Sequence, residues 1–178
     1  MTRSGRLAAG AVVAALLAGC ASLAPPAGEE GEALSGRLSV RVEGDAQRSF
    51  NAAFELAGSP ERGSLALITP LGTQVARADW SAGQVRLRSR EGERVYPDLD
   101  SLSEEALGER VPLAALFDWL RGRPWPGAAN VASDRGFAQL GWEVDLSRYE
   151  EGWVLAERST PPVVEVRARL DMPRSMAP

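Results

Sequence analysis

From residue 38 the chain alternates between apolar and polar positions. In Leu38-Ser39-Val40-Arg41-Val42-Glu43 every second side chain is apolar. Successive side chains on a strand point to opposite faces, so this stretch predicts a strand with one dry and one wet face. Phe50–Leu56 repeats the pattern, with Phe50, Ala52, Phe54 and Leu56 on one side. Turn signals at Gly58-Ser59-Pro60, Pro70-Leu71-Gly72 and Ser81-Ala82-Gly83 separate further runs at Leu65–Thr69, Thr73–Trp80 and Val85–Leu87. Ala76, Ala78 and Trp80 continue the apolar face. Five short strands with short connections form an antiparallel meander, because parallel neighbours need long crossovers.

The period then changes. Ser101-Leu102-Ser103-Glu104 has the spacing of a capping box, and Leu107-Gly108 closes a short helix. Pro112 opens a second helix, in which Leu113, Leu116, Phe117 and Leu120 share one face while Asp118 and Arg121 lie off it. Gly122 and Pro124 stop it. Strand signals return at Gly136–Leu146, Gly152–Glu157 and Val163–Leu170. The order of strands, two short helices and strands predicts a mainly-β or α+β domain.

One turn stands out. In Thr69-Pro70-Leu71-Gly72-Thr73 the proline suits the first corner of a tight turn and the glycine tolerates the positive φ that closes it. The residue held out between them is a leucine, an aliphatic side chain aimed at solvent.

The N-terminus is a targeting segment. Arg3 and Arg6 precede the apolar run Leu7–Leu17, which is too short to span a bilayer, and Leu17-Ala18-Gly19-Cys20 follows. That tetrapeptide looks like a bacterial lipobox, with 1–19 as signal peptide and Cys20, the only cysteine, as the acylated first residue. Ala21-Ser22 lacks the Asp that commonly retains lipoproteins in the inner membrane, so the expected address is the outer membrane, facing the periplasm. Residues 20–34, Pro/Gly-rich and acidic, read as a lipidated flexible tether, 35–172 as the folded domain, and 173–178 as a tail. Cleavage leaves 159 of the 178 residues, enough for one domain with a core. Losing Arg3 and Arg6 takes the formal charge from −4 to −6. An acidic chain is a poor partner for nucleic acid or anionic lipid, so no nucleic-acid role is expected and the acyl anchor must hold the protein at its membrane.

The chain has neither histidine nor lysine. Imidazole bases, Ser-His and Cys-His nucleophiles, Schiff bases and phosphate-loop lysines are therefore excluded. The single cysteine is committed to the anchor, so thiolate metal sites are not expected. Only carboxylates remain, and the adjacent pairs Glu29-Glu30, Glu104-Glu105 and Glu150-Glu151 do not converge on one face. The reading is a non-enzyme with no cofactor and no metal. A curved sheet with one apolar face, covered by an apolar helix, builds either a filled core or a cavity; periodicity does not separate the two.

Several motifs carry a resemblance. Gly36-Arg37-Leu38-Ser39-Val40-Arg41, Pro70-Leu71-Gly72, Leu107–Leu113 leading into Trp119-Leu120-Arg121-Gly122, and Gly136–Trp142 occur in order over residues 35–172. Together with the lipobox they resemble LolB, the family of outer-membrane lipoprotein receptors. The resemblance implies an antiparallel open β-barrel, or half-barrel, with short helices covering an apolar cavity for lipoprotein acyl chains. It implies acceptance of lipoproteins from the periplasmic carrier LolA and their deposition in outer-membrane lipid, by a monomer. On the apolar faces above, the cavity would be lined by Leu38, Val40, Phe50, Phe54, Leu65, Leu67, Trp80, Leu113, Leu116, Phe117 and Leu120. Leu71 corresponds to the family's protruding leucine, the residue for membrane insertion. Two departures stand out. Leu56 replaces a common Trp, and Pro162–Met172 leaves room for one strand where the family has a hairpin, with Pro173 in place of an aromatic ending. The alternative is an outer-membrane lipoprotein acting as a structural or assembly scaffold with a filled core; a carboxylate-only hydrolase comes third.

Overall fold

The computed structural model describes residues 33–171; the signal segment, Cys20, the tether as far as residue 32, Met172 and the 173–178 tail lie outside the described residues. The alternating stretches form β1 (Leu34–Val42) and β2 (Asp45–Gly58). Leu38, Val40, Val42, Ala52, Phe54 and Leu56 are buried, while Arg37, Arg41 and Glu55 face water. The meander continues through β3 (Gly63–Ile68), β4 (Gln74–Ser81), β5 (Gln84–Ser89) and β6 (Gly92–Tyr96). The alternation predicts five strands here and the structure has six. Of β6 only Tyr96 is buried and Val95 faces water, so this edge strand carries no apolar period to read.

Helices α1 (Leu99–Leu107) and α2 (Leu113–Trp119) follow. The capping box expected at Ser101 is not the start of α1: Asp98 is the N-cap, its carboxylate accepting the Ser101 N–H at 2.7 Å. The Ser101 hydroxyl first, and then that backbone bond, hold the Asp98 carboxyl below the usual carboxylate range. Asp118, off the apolar face of α2, is nonetheless buried and accepts from Arg123 Nε at 2.6 Å. The remaining strands are β7 (Asn130–Ser133), β8 (Gly136–Gln139), β9 (Trp142–Asp145), β10 (Trp153–Arg158) and β11 (Val164–Leu170). The single run expected at Gly136–Leu146 is thus a hairpin, and β7 was hidden because all four of its residues are exposed.

All eleven strands form one antiparallel sheet in the order β6-β5-β4-β3-β2-β1-β11-β10-β9-β8-β7. The last strand returns to pair with the first, from Gly36↔Leu170 to Val42↔Val164. Gly36 makes that approach possible, since a Cβ there would stand 2.1 Å from the Arg169 carbonyl oxygen. The short C-terminal region accordingly leaves no gap: β11 is the one strand expected of it and pairs on both sides with β10 and β1. The barrel is open elsewhere, between β6 and β7, which do not pair. Residues 97–129, carrying both helices, run from one free edge to the other and lay their apolar faces over the concave side.

Candidate functional site

Under the helices lies a cavity of about 190 Å³. Leu38, Val40, Phe50, Leu65 and Leu67 line it from β1, β2 and β3. Ala76 and Ala78 of β4 form a low part of its wall, where small side chains leave space. Leu113 and Leu116 close it from α2, and Leu102 and Leu107 from α1. Its one polar side chain, Ser103, is already satisfied: the hydroxyl donates to the Asp100 carbonyl at 2.9 Å and accepts the Val111 N–H at 3.1 Å. The cavity therefore offers hydrocarbon and almost nothing that a polar ligand could bond.

Phe54, Trp80, Phe117 and Leu120 stand around a second void of about 30 Å³. The two spaces share Leu38, Leu65, Ala78, Leu102, Leu113 and Leu116 as a common wall. Trp80 and Phe117 meet edge-to-face with centroids 5.2 Å apart, and the Trp80 indole donates to the Ser59 carbonyl at 2.9 Å. Five leucines and one alanine are all that this shared wall contains. Among the described residues, no three His, Cys, Asp or Glu side chains gather as a metal site.

Leu71 is 93% exposed. The Gly72 N–H donates to the Thr69 carbonyl at 2.9 Å, which makes Thr69–Gly72 a β-turn with Pro70 and Leu71 as its corners. Gly72, at φ 81°, turns the chain back so that the Thr69 N–H meets the Thr73 carbonyl at 2.9 Å. The Thr69 hydroxyl also accepts the Thr73 N–H, at 3.1 Å. Every bond of the turn is made by its neighbours, and the leucine contributes none of them.

Two polar fastenings hold the helical segment, and neither was read from the sequence. Glu109, in the corner between α1 and α2, accepts from Arg158 of β10 at 2.9 Å. The same guanidinium donates to the Pro162 carbonyl at 3.1 Å and lies 5.7 Å from the Trp142 ring centre. Arg158 Nε is buried without a hydrogen-bond partner. On the other side Gln139, 2% exposed, uses its whole amide. Its Oε1 accepts from Trp119 Nε1 (2.8 Å) and the Trp125 N–H (2.9 Å). Its Nε2 donates to the carbonyls of Trp125 and Ala128, both at 2.8 Å. A glutamine within an uncharged run was the only signal for this knot, and distance in sequence concealed its partners.

An open antiparallel sheet whose apolar cavity is covered by helices, with an apolar residue at a hairpin tip, defines the class. Comparison with known proteins gives the family. Residues 33–172 match the family described as "Outer membrane lipoprotein LolB", and the chain belongs to it. Outer-membrane lipoprotein LolB of Bordetella petrii is 36% identical over 88% of this chain and 86% of the relative. The protein of the same name from Bordetella pertussis is 37% identical over 76% and 75%. That from Cupriavidus pinatubonensis is 35% identical over 100% and 91%. The family places the chain among outer-membrane lipoproteins, and no helix among the described residues is long and apolar enough to cross a membrane.

Proposed function

We propose that this protein, anchored through an acylated Cys20, accepts lipoproteins from the periplasmic carrier LolA. On this reading their acyl chains lodge in the cavity between sheet and helices and pass into the outer membrane where Leu71 dips into the lipid. The observation that carries it is the cavity itself: about 190 Å³, walled almost entirely by apolar side chains, in the concave side of an open barrel. Each methylene moved from water into such a wall is worth about 0.8 kcal/mol. A lipidated protein therefore needs burial at every stage of its passage, and transfer needs no further energy source if each successive site binds somewhat better. The space is smaller than the roughly 300–1,000 Å³ of a typical small-molecule site. The neighbouring void of about 30 Å³ adds little, so on this reading loading an acyl chain requires the helices to shift from the sheet.

The test uses the mature protein and a fluorescent fatty-acid probe. The probe is expected to bind and to be displaced by an acylated peptide. Leu71→Glu is expected to retain the parent's melting temperature and probe binding, and to take lipoprotein from the carrier, but to lose deposition into liposomes. Absence of probe binding leaves the scaffold reading in possession. Undiminished deposition by the Leu71 variant removes that residue from the mechanism.

A further inference from the structure

We infer that Leu140, at the tip of the β8–β9 hairpin, is a second lipid-contacting residue that enters the membrane surface alongside Leu71. The inference rests on the reading of Leu71 given above. Gln139 and Trp142 face each other across the hairpin, so Leu140 and Gly141 form a two-residue turn. Their φ angles are 55° and 78°, both left-handed. Turns of this kind favour Asn-Gly, Asp-Gly or Gly-Gly, because a Cβ in this region crowds the backbone. Leu140 is the one residue other than glycine with positive φ among the described residues. The core does not reward it either, since 46% of it is exposed. A leucine thus occupies a position that neither the backbone nor the protein interior favours.

Its surroundings suit hydrocarbon. The sequence carries no ionisable side chain from Pro124 to Ser133 or from Gly136 to Trp142. Val131, opposite Ala138 on the free edge strand β7, is 70% exposed. The Gln139 knot fastens the Trp125–Ala128 loop beneath this patch, so the patch is held in place. Charged side chains are expelled from lipid, and two other tips at the same end of the sheet carry them: Glu43 with Asp45, and Arg90 with Glu91. The nearest exposed charge, Glu143 opposite Ala138 on β9, stands at the margin of the patch, back from the Leu140-Gly141 tip. Lipid is the occupant the patch fits.

Topology puts both leucines at one end. β3 and β8 are separated by six antiparallel pairings and so run in the same direction. The turns that follow them, carrying Leu71 and Leu140, leave the sheet at the same end.

The test is made on the lipidated mature protein in liposomes of phosphatidylethanolamine and phosphatidylglycerol. Its only native cysteine is Cys20, so an environment-sensitive dye can be attached at Leu140→Cys, at Leu71→Cys, or at Ala82→Cys in a turn at the opposite end. The dye is expected to shift to the blue and be quenched by spin-labelled lipid at 71 and 140, and to do neither at 82. Leu140→Asn, which suits the turn, is expected to melt no lower than the parent and to deposit lipoprotein about threefold to tenfold more slowly. A dye at 140 that stays aqueous while 71 responds overturns this inference and leaves the Leu71 reading standing. Both sites aqueous overturns both. A response at 140 only when the carrier is added assigns the patch to a protein and overturns the lipid contact.

Discussion

Replacing Gln139 with glutamate exchanges one NH₂ for an oxygen in a site where all four hydrogen-bonding valences are used. The two acceptor bonds from Trp119 and Trp125 survive. The two donations to the carbonyls of Trp125 and Ala128 do not, unless the acid stays protonated, and then only one can be made. Keeping a glutamic acid protonated at pH 7 costs about 3.7 kcal/mol, from about 1.36 kcal/mol per unit above an ordinary pKa of ~4.3. The carbonyl left unmet adds roughly 1–3 kcal/mol at any pH. Ionising instead would set a buried carboxylate against two carbonyl oxygens, and the cheaper route sets the penalty. Burial and those carbonyls raise this side chain's pKa on folding. Its contribution is therefore complete below the unfolded pKa and is lost as pH rises through the folded one. Measured against the parent at each pH, the penalty should grow by up to about 3 kcal/mol between pH 4.5 and 7. At roughly 3–5 °C per kcal/mol for a domain of this size, the gap in melting temperature widens by up to about 10–15 °C. Thermal melts followed by circular dichroism at the two pH values measure it, and no histidine titrates in either protein to confuse the comparison. An equal depression at both pH values, or none, would refute the claim that Gln139 donates to two buried carbonyls.

Ala76→Leu adds three carbons to the wall of the 190 Å³ cavity. At about 0.8 kcal/mol per buried methylene it should raise stability by up to ~2 kcal/mol and weaken fatty-acid probe binding about tenfold or more, both read by titration and melting. Unchanged probe affinity would place the probe elsewhere. Glu109→Gln removes the ionic half of the fastening to Arg158, whose partners are 17% and 25% exposed. A loss of about 1–2 kcal/mol is expected, between the values for exposed and buried pairs, together with faster probe uptake in stopped-flow mixing. Uptake at the parent rate would show that this corner does not have to move.

The fold was legible where one face of an element is wet. β1, β2 and β11 alternate cleanly because Arg37, Arg41, Glu165, Arg167 and Arg169 face solvent between buried aliphatics. β6 and β7 were silent for the opposite reason: edge strands with little burial carry no period. The start of α1 was misplaced because Ser101-x-x-Glu104 imitates a cap, while the working cap, Asp98, lies three residues earlier. At the site, the exposed leucine at 71 was readable from its turn chemistry alone. Leu140 was not, because the backbone gives a leucine no visible reason to be there and only the φ angle exposes the anomaly. Trp119, which shows no exposure, was missed since it lies outside the 113/116/117/120 stripe and is buried by Gln139, Phe137 and Trp142 rather than by the sheet's main apolar face. Periodicity reports which side of an element is dry; it does not report what the dry side meets.

The geometry also constrains how the proposed anchor and the proposed contact residues can share one membrane. β1 runs in the same direction as β3, so the chain enters the domain at the end opposite Leu71. If Cys20 is acylated, its lipid and the two leucine tips meet the same leaflet only if the segment from Cys20 to Ala33 reaches back along the barrel wall. Fourteen residues span at most roughly 45–50 Å, and the nine residues of β1 rise about 30 Å. The reach exceeds the height, so both can be in the lipid together. On the proposed reading, that reach lets the leucine-tipped end face the same lipid that holds the anchor, although the chain enters the domain at the opposite end.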